Sequence, residues 1–136
     1  SWDGLSEKAK VMMGTGVYET TIKLSKDDVK KQWTIDLGDV RESARVYINN
    51  KYVGCAWAVP YILNCKDALN KGKNTIRIEV TNLPANRIAE MDRQGVKWRK
   101  MKEINVVDIN YKKTTYEKWT PMPSGLNSTV KLVEIK

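Results

Sequence analysis

The chain has 136 residues, 41% hydrophobic and 29% charged with 8 Gly and 4 Pro, a composition that excludes collagen-like, low-complexity and wholly disordered readings. A chain of this size removes roughly two thirds of its extended surface from water on folding, so its core needs neither a metal nor a disulfide. The 24 Lys and Arg against 16 Asp and Glu give +8, and the absence of His removes Ser-His-Asp and Cys-His nucleophile systems, His metal ligands and an imidazole base.

Val17 to Leu24 alternates as a half-buried strand, and Gln32 to Leu37 puts Trp33, Ile35 and Leu37 on one face. Lys26-Asp27-Asp28 supplies polar turn chemistry between them, and Gly38-Asp39 closes the second strand. Ala44, Val46 and Ile48 alternate next. Asn49-Asn50 then sits where a hairpin needs residues tolerant of positive φ, and Tyr52 to Trp57 forms the returning strand. After Pro60, Tyr61, Leu63 and Cys65 share one side of a short strand. Asp67 to Gly72 reads as one capped helical turn, and Ile76, Ile78 and Val80 mark the clearest strand.

Beyond Pro84 the periodicity fails. Residues 85–129 show a short helix around Asn86 to Arg93, the apolar Ile104, Val106, Val107 and Ile109, and the turn-rich Pro121 to Gly125. A segment of that length within one domain is often functional. Val130 to Ile135 makes a last strand that returns to the sheet. Short strands with turns at intervals of about ten residues predict an all-β fold, an antiparallel β-sandwich with little helix and one long irregular segment. The expectation is a single domain over residues 1–136.

The positive charge leans toward the C-terminal third: residues 1–85 carry 13 basic and 10 acidic side chains, residues 86–136 carry 11 and 6. Arg87 to Lys102 is the densest basic stretch, either a solvated face or a contact for phosphate or carboxylate. No apolar run of about 18 residues is present, so no membrane span is expected. The start at Ser1 without Met reads as an excised piece or a processed product. Cys55 and Cys65 fit no zinc or redox spacing; they read as small core residues, with a disulfide open to them on neighbouring strands in an oxidising compartment.

Candidate ligand-binding residues come from the aromatics and from one polar group. Trp33 lies on the apolar face of its strand and is assigned to the core. Trp57 and Tyr61 flank a proline bend, and Trp98 and Trp119 lie in the irregular segment. Each either stacks on the apolar face of a sugar ring or plugs the end of the sandwich. Asn86, Arg87, Asp92 and Arg93 form the densest polar group, either an Arg-Asp pair bracing the long segment or a ligand contact. No catalytic residue, metal site or cofactor is expected: no carboxylate pair stands out, and neither a metal constellation nor a phosphate loop is present.

The strings GTGVYETTIKL at 14–24, IDLGDVRESARVYINNKYVGCAWAVPYILN at 35–64 and DALNKGKNTIRIEVTNLPANRI at 67–88 resemble the galactose-binding-like, jelly-roll sugar-binding domain of glycoside hydrolase family 2. MDRQGVKWR at 91–99, INVVDINYK at 104–112 and the ending MPSGLNSTVKLVEI resemble the C-terminal β-sandwich of proteins similar to family 106 α-L-rhamnosidases. The resemblance implies a jelly roll, an auxiliary and non-catalytic role, and a catalytic barrel elsewhere in a larger bacterial protein of which this chain is the C-terminal part. A periplasmic or extracellular setting follows from it. The partner is then a glycan or the catalytic barrel itself. The competing class is a polyanion- or nucleic-acid-binding β domain, prompted by the charge and weakened by the lack of a recognition helix or an aromatic row on adjacent strands.

Overall fold

The structure is a computed structural model and describes residues 2, 5–98 and 115–136. Its strands are β1 (Thr15–Leu24), β2 (Trp33–Asp36), β3 (Val40–Arg41), β4 (Ser43–Ile48), β5 (Lys51–Ala56), β6 (Ile62–Asn64), β7 (Gly72–Thr81), β8 (Gly125–Leu126) and β9 (Lys131–Glu134). Two helices, α1 (Glu7–Lys10) and α2 (Ala85–Arg93), flank them. The expected strands and the helix after Pro84 are present. The expected helical turn at 67–72 is shorter, a 3-10 turn at Lys66–Ala68, because Gly72 already opens β7 opposite Leu24. Ile104, Val106, Val107 and Ile109 lie outside the described residues.

Alternation sorts the strands into two antiparallel layers, as expected for the galactose-binding-like sandwich. One sheet has the order β1-β7-β4-β5, the other β6-β2-β9, and β3 pairs with β8 at one end. Inward-facing Ile76, Ile78 and Val80 of β7 and Ala44, Val46 and Ile48 of β4 meet Ile35 and Leu37 in a dry core. Trp33 packs against this core as assigned, its indole N–H donating to the Asp28 carbonyl at 2.8 Å. Asn49 and Asn50 take φ of 51° and 64°, the positive values that a tight hairpin demands.

Among the described residues, β1 is one border of its sheet and β9 one border of the other. The layers do not meet there. A cleft of about 430 Å³ opens between them, lined by Tyr18, Thr20 and Ile22 of β1 above Ile35, Ile76 and Ile78.

Cys55 and Cys65 are free thiols, which closes the disulfide alternative. Cys65 is buried, and burial pushes its thiol from 9.0 up to about 11. The folded state therefore holds this proton more tightly than the unfolded chain does. Stability is untouched below about pH 9 and is expected to fall by about 2 kcal/mol as pH rises from about 9 to about 11. Urea unfolding across that window checks it, with Cys65→Ala flattening the decline.

Candidate functional site

Strand register gathers the candidates at one end of the sandwich. Thr15 and Ser43 both lie opposite Thr81, and Ala44 opposite Ala56, so the start of β1, the end of β7, the start of β4 and the end of β5 come together. Helix α1 enters at that end, α2 leaves from it, and Trp57 follows directly after β5.

Trp57 is 77% exposed and Val59 81% exposed, with Ile62 at 43% on the far side of the bend. Tyr61 is half-buried against the core, and its carbonyl accepts from the Leu37 amide at 2.9 Å. Nearby, Arg41 Nε donates to Asp39 Oδ1 at 2.8 Å, a bond that raises the guanidinium pKa, with Glu42 and Tyr61 adding smaller contributions. The backbone of Asp39 is in turn tied to Ser128 and Asn127. The loop from Trp57 to Ile62 thus presents apolar surface, while the neighbouring charges satisfy each other.

The group on α2 divides differently from the expected Arg-Asp pair. Asp92 accepts from Trp98 Nε1 at 2.6 Å and from the Tyr116 amide at 2.8 Å. Arg93 pairs with Glu90 at 2.8 Å and donates to the carbonyls of Glu117 and Trp119 at 2.8 and 2.6 Å. Hydrogen bonds from Arg93 and Gln94 hold the Glu90 carboxyl below its usual pKa. Tyr116 sits edge-on to Trp119 at 4.8 Å and tilted to Trp98 at 6.4 Å. Two adjacent side chains of one helix therefore brace the returning segment through separate partners, and the Tyr116 ring contacts both Trp98 and Trp119.

Asn86 is buried, and its amide is committed to backbone: it donates to the carbonyls of Lys10 and Met122 at 3.0 and 2.8 Å and accepts from the Met122 amide at 2.8 Å. Asn82, given no role from sequence, is likewise committed: it donates to the Met12 carbonyl at 2.7 Å and to the Ser124 hydroxyl at 3.2 Å and accepts from the Gly14 amide at 3.0 Å. Trp2, also unassigned from sequence, is buried between Gly16 and Gly125. Arg87 stays exposed. It borders an open groove of about 810 Å³ between α1 and α2.

Arg99, Lys100 and Lys102 of the basic stretch lie outside the described residues. Among the described residues, no three His, Cys, Asp or Glu side chains gather to hold a metal ion, and no helix is long and apolar enough to cross a membrane.

Comparison with known proteins gives this architecture its place. A rhamnosidase structure from Novosphingobium sp. PP1Y superposes on 96% of the chain with a TM-score of 0.76 and 28% identity, using 12% of its own length. A protein of Formosa agariphila, provisionally named a beta-glucuronidase, is 29% identical over 97% of the chain and 13% of itself. A beta-D-glucuronidase structure from Dictyoglomus thermophilum shares the fold over 57% of the chain, with a TM-score of 0.52 at 19% identity. The chain spans about an eighth of the length of the first two relatives. What it matches is an auxiliary, non-catalytic domain of glycoside hydrolases. The family model described as glycosyl hydrolase 2 galactose-binding domain-like matches residues 5–126, and the chain belongs to that family.

Proposed function

We propose that this domain braces the catalytic barrel of a parent glycoside hydrolase, docking through the loop between β5 and β6. The observation that carries the reading is the exposure of Trp57 and Val59, 77% and 81%, in a bend with few polar groups. A sugar site needs several converging donors and acceptors, whereas exposed aromatic and aliphatic side chains on a rigid bend suit a protein interface. The Asp39–Arg41 pair beside Tyr61 is already self-satisfied. A bacterial, periplasmic or extracellular parent accords with this reading, since polymeric glycans reach an enzyme there without transport.

In the parent enzyme, Trp57→Ala and Val59→Asp are each expected to weaken the hold of the domain on the catalytic part by about 2 kcal/mol, roughly thirtyfold. The isolated domain should keep its Tm, because both side chains already face water. Co-purification of the two separately expressed parts, with thermal unfolding of each, measures this. A second reading, direct glycan contact, rests on the open indole face of Trp57 beside Tyr61. Glycan binding by the isolated domain that Trp57→Ala abolishes, with association of the two parts intact, would replace the first reading by the second.

A further inference from the structure

The groove between α1 and α2 lies next to the start of β1, a strand that stands three strand spacings, about 14 Å, from β5. Six charged side chains line it: Glu7, Lys8, Lys10, Arg87, Glu90 and Arg93. Four of them neutralise one another. Lys10 Nζ meets Glu7 at 2.6 Å and Arg93 meets Glu90 at 2.8 Å, and Arg93 is pinned further by two backbone carbonyls. Lys8 and Arg87 are exposed and form no salt bridge within 4.0 Å among the described residues, although Arg87 lies near enough to Glu90 to help lower its pKa, so the groove keeps an excess of positive charge. Between the charges the lining is apolar, with Met12, Met13 and Pro121 at its edge.

The walls are held in place by buried groups. Asn86 fastens the end of α1 through Lys10 and the 121–122 segment through Met122, and Asn82 fastens Met12 and Gly14. Residues 10–12 are thus tied to α2 and to the residue just after β7, 70 to 76 positions along the chain, so the spacing between Arg87 and the apolar edge is set by the fold.

We infer that this groove binds an acidic sugar, a pyranose residue bearing a carboxylate, with Arg87 as its main anchor and Lys8 as a second cation. A planar guanidinium pairs with a carboxylate through two parallel hydrogen bonds. The CH face of the ring then lies on methionine and proline surface, and a groove of this size holds one or two sugar residues. A nucleic acid would need a track of cations. Here Glu7 and Glu90 interrupt the positive surface, and an excess of two positive charges matches one acidic residue better than a phosphate chain. This inference does not depend on the docking loop.

Calorimetric titration of the folded domain with digalacturonic acid, its dimethyl ester and sodium acetate tests the inference. The ester keeps the ring and removes the charge; acetate keeps the charge and removes the ring. The acid should bind at least tenfold more tightly than either. Arg87→Gln should lose about tenfold, Lys8→Gln about threefold, and Trp57→Ala nothing, with circular dichroism unchanged in all three. Equal binding of acid and ester, equal binding of acetate, or an unchanged Arg87→Gln would overturn the inference. So would the absence of acid-sugar binding in a domain that captures duplex DNA with a steep loss on adding salt.

Discussion

Asn74→Ala is expected to lower the stability of the domain by about 3 kcal/mol, a fall in Tm of about 10 °C for a chain of this size. Asn74 is fully buried at the end of the sandwich opposite the candidate site. Its amide oxygen accepts from Asn49 Nδ2 at 2.8 Å and from the Asn70 amide at 2.7 Å. Its nitrogen donates to the carbonyls of Asn70 and Gly72 at 2.7 and 3.0 Å. All four hydrogen-bonding positions of the side chain are occupied. Asn49 extends the network to Ala68 and Thr75, which ties the hairpin tip to the turn before β7. Truncation would remove the partner of two donors and two carbonyls in this part-buried network at once. Asn74→Asp should be worse than Asn74→Ala, because it turns a carboxylate oxygen toward two carbonyl oxygens. Thermal and urea unfolding of both variants measure the ordering.

Gly125→Val should cost about 4 kcal/mol, for two reasons that add. Gly125 has φ of +89°, outside the range that a β-branched residue tolerates. A Cβ there would also lie 2.5 Å from the Tyr18 hydroxyl and 3.0 Å from the Trp2 ring. Neither can withdraw cheaply: Trp2 is 5% exposed, and the Tyr18 hydroxyl accepts from the Leu126 amide at 3.3 Å. Gly95→Ala provides the comparison, since Gly95 has φ of +67° with nothing near its missing Cβ. It should cost only the backbone strain, about 1 kcal/mol. Denaturation curves of equal midpoint for the two variants would mean that Trp2 is not seated against Gly125.

The layers were legible wherever alternation ran long enough to be read. Ile76, Ile78 and Val80 announce β7, and Asn49-Asn50 announces the hairpin because few other residue types accept two consecutive positive φ values. The true start of β7 was hidden: Asn74 looks like a polar turn residue, and its burial depends on partners that only the folded chain supplies. Strands β3 and β8, two residues each, are too short to carry a period. At the candidate end, Pro60 foretold an exposed bend, but the division of labour between Asp92 and Arg93 did not follow from their adjacency. Their partners arrive from Trp98, Tyr116, Glu117 and Trp119, brought there by the return of the chain. The family was visible in a series of short strings spread along the chain, each unremarkable by itself.

Among the described residues no strand pairs with the outer border of β1, which has a bearing on how the molecule behaves in a crowded solution. A ten-residue strand with one row of backbone groups open, beside an apolar gap, is a template onto which another copy can zip. Val17 on its outward face, 61% exposed, would favour such pairing. Glu19 and Lys23 stand on that same face and put charge where a neighbour would have to settle. Two side chains outside the core and the candidate site thus place charge where it opposes such zipping.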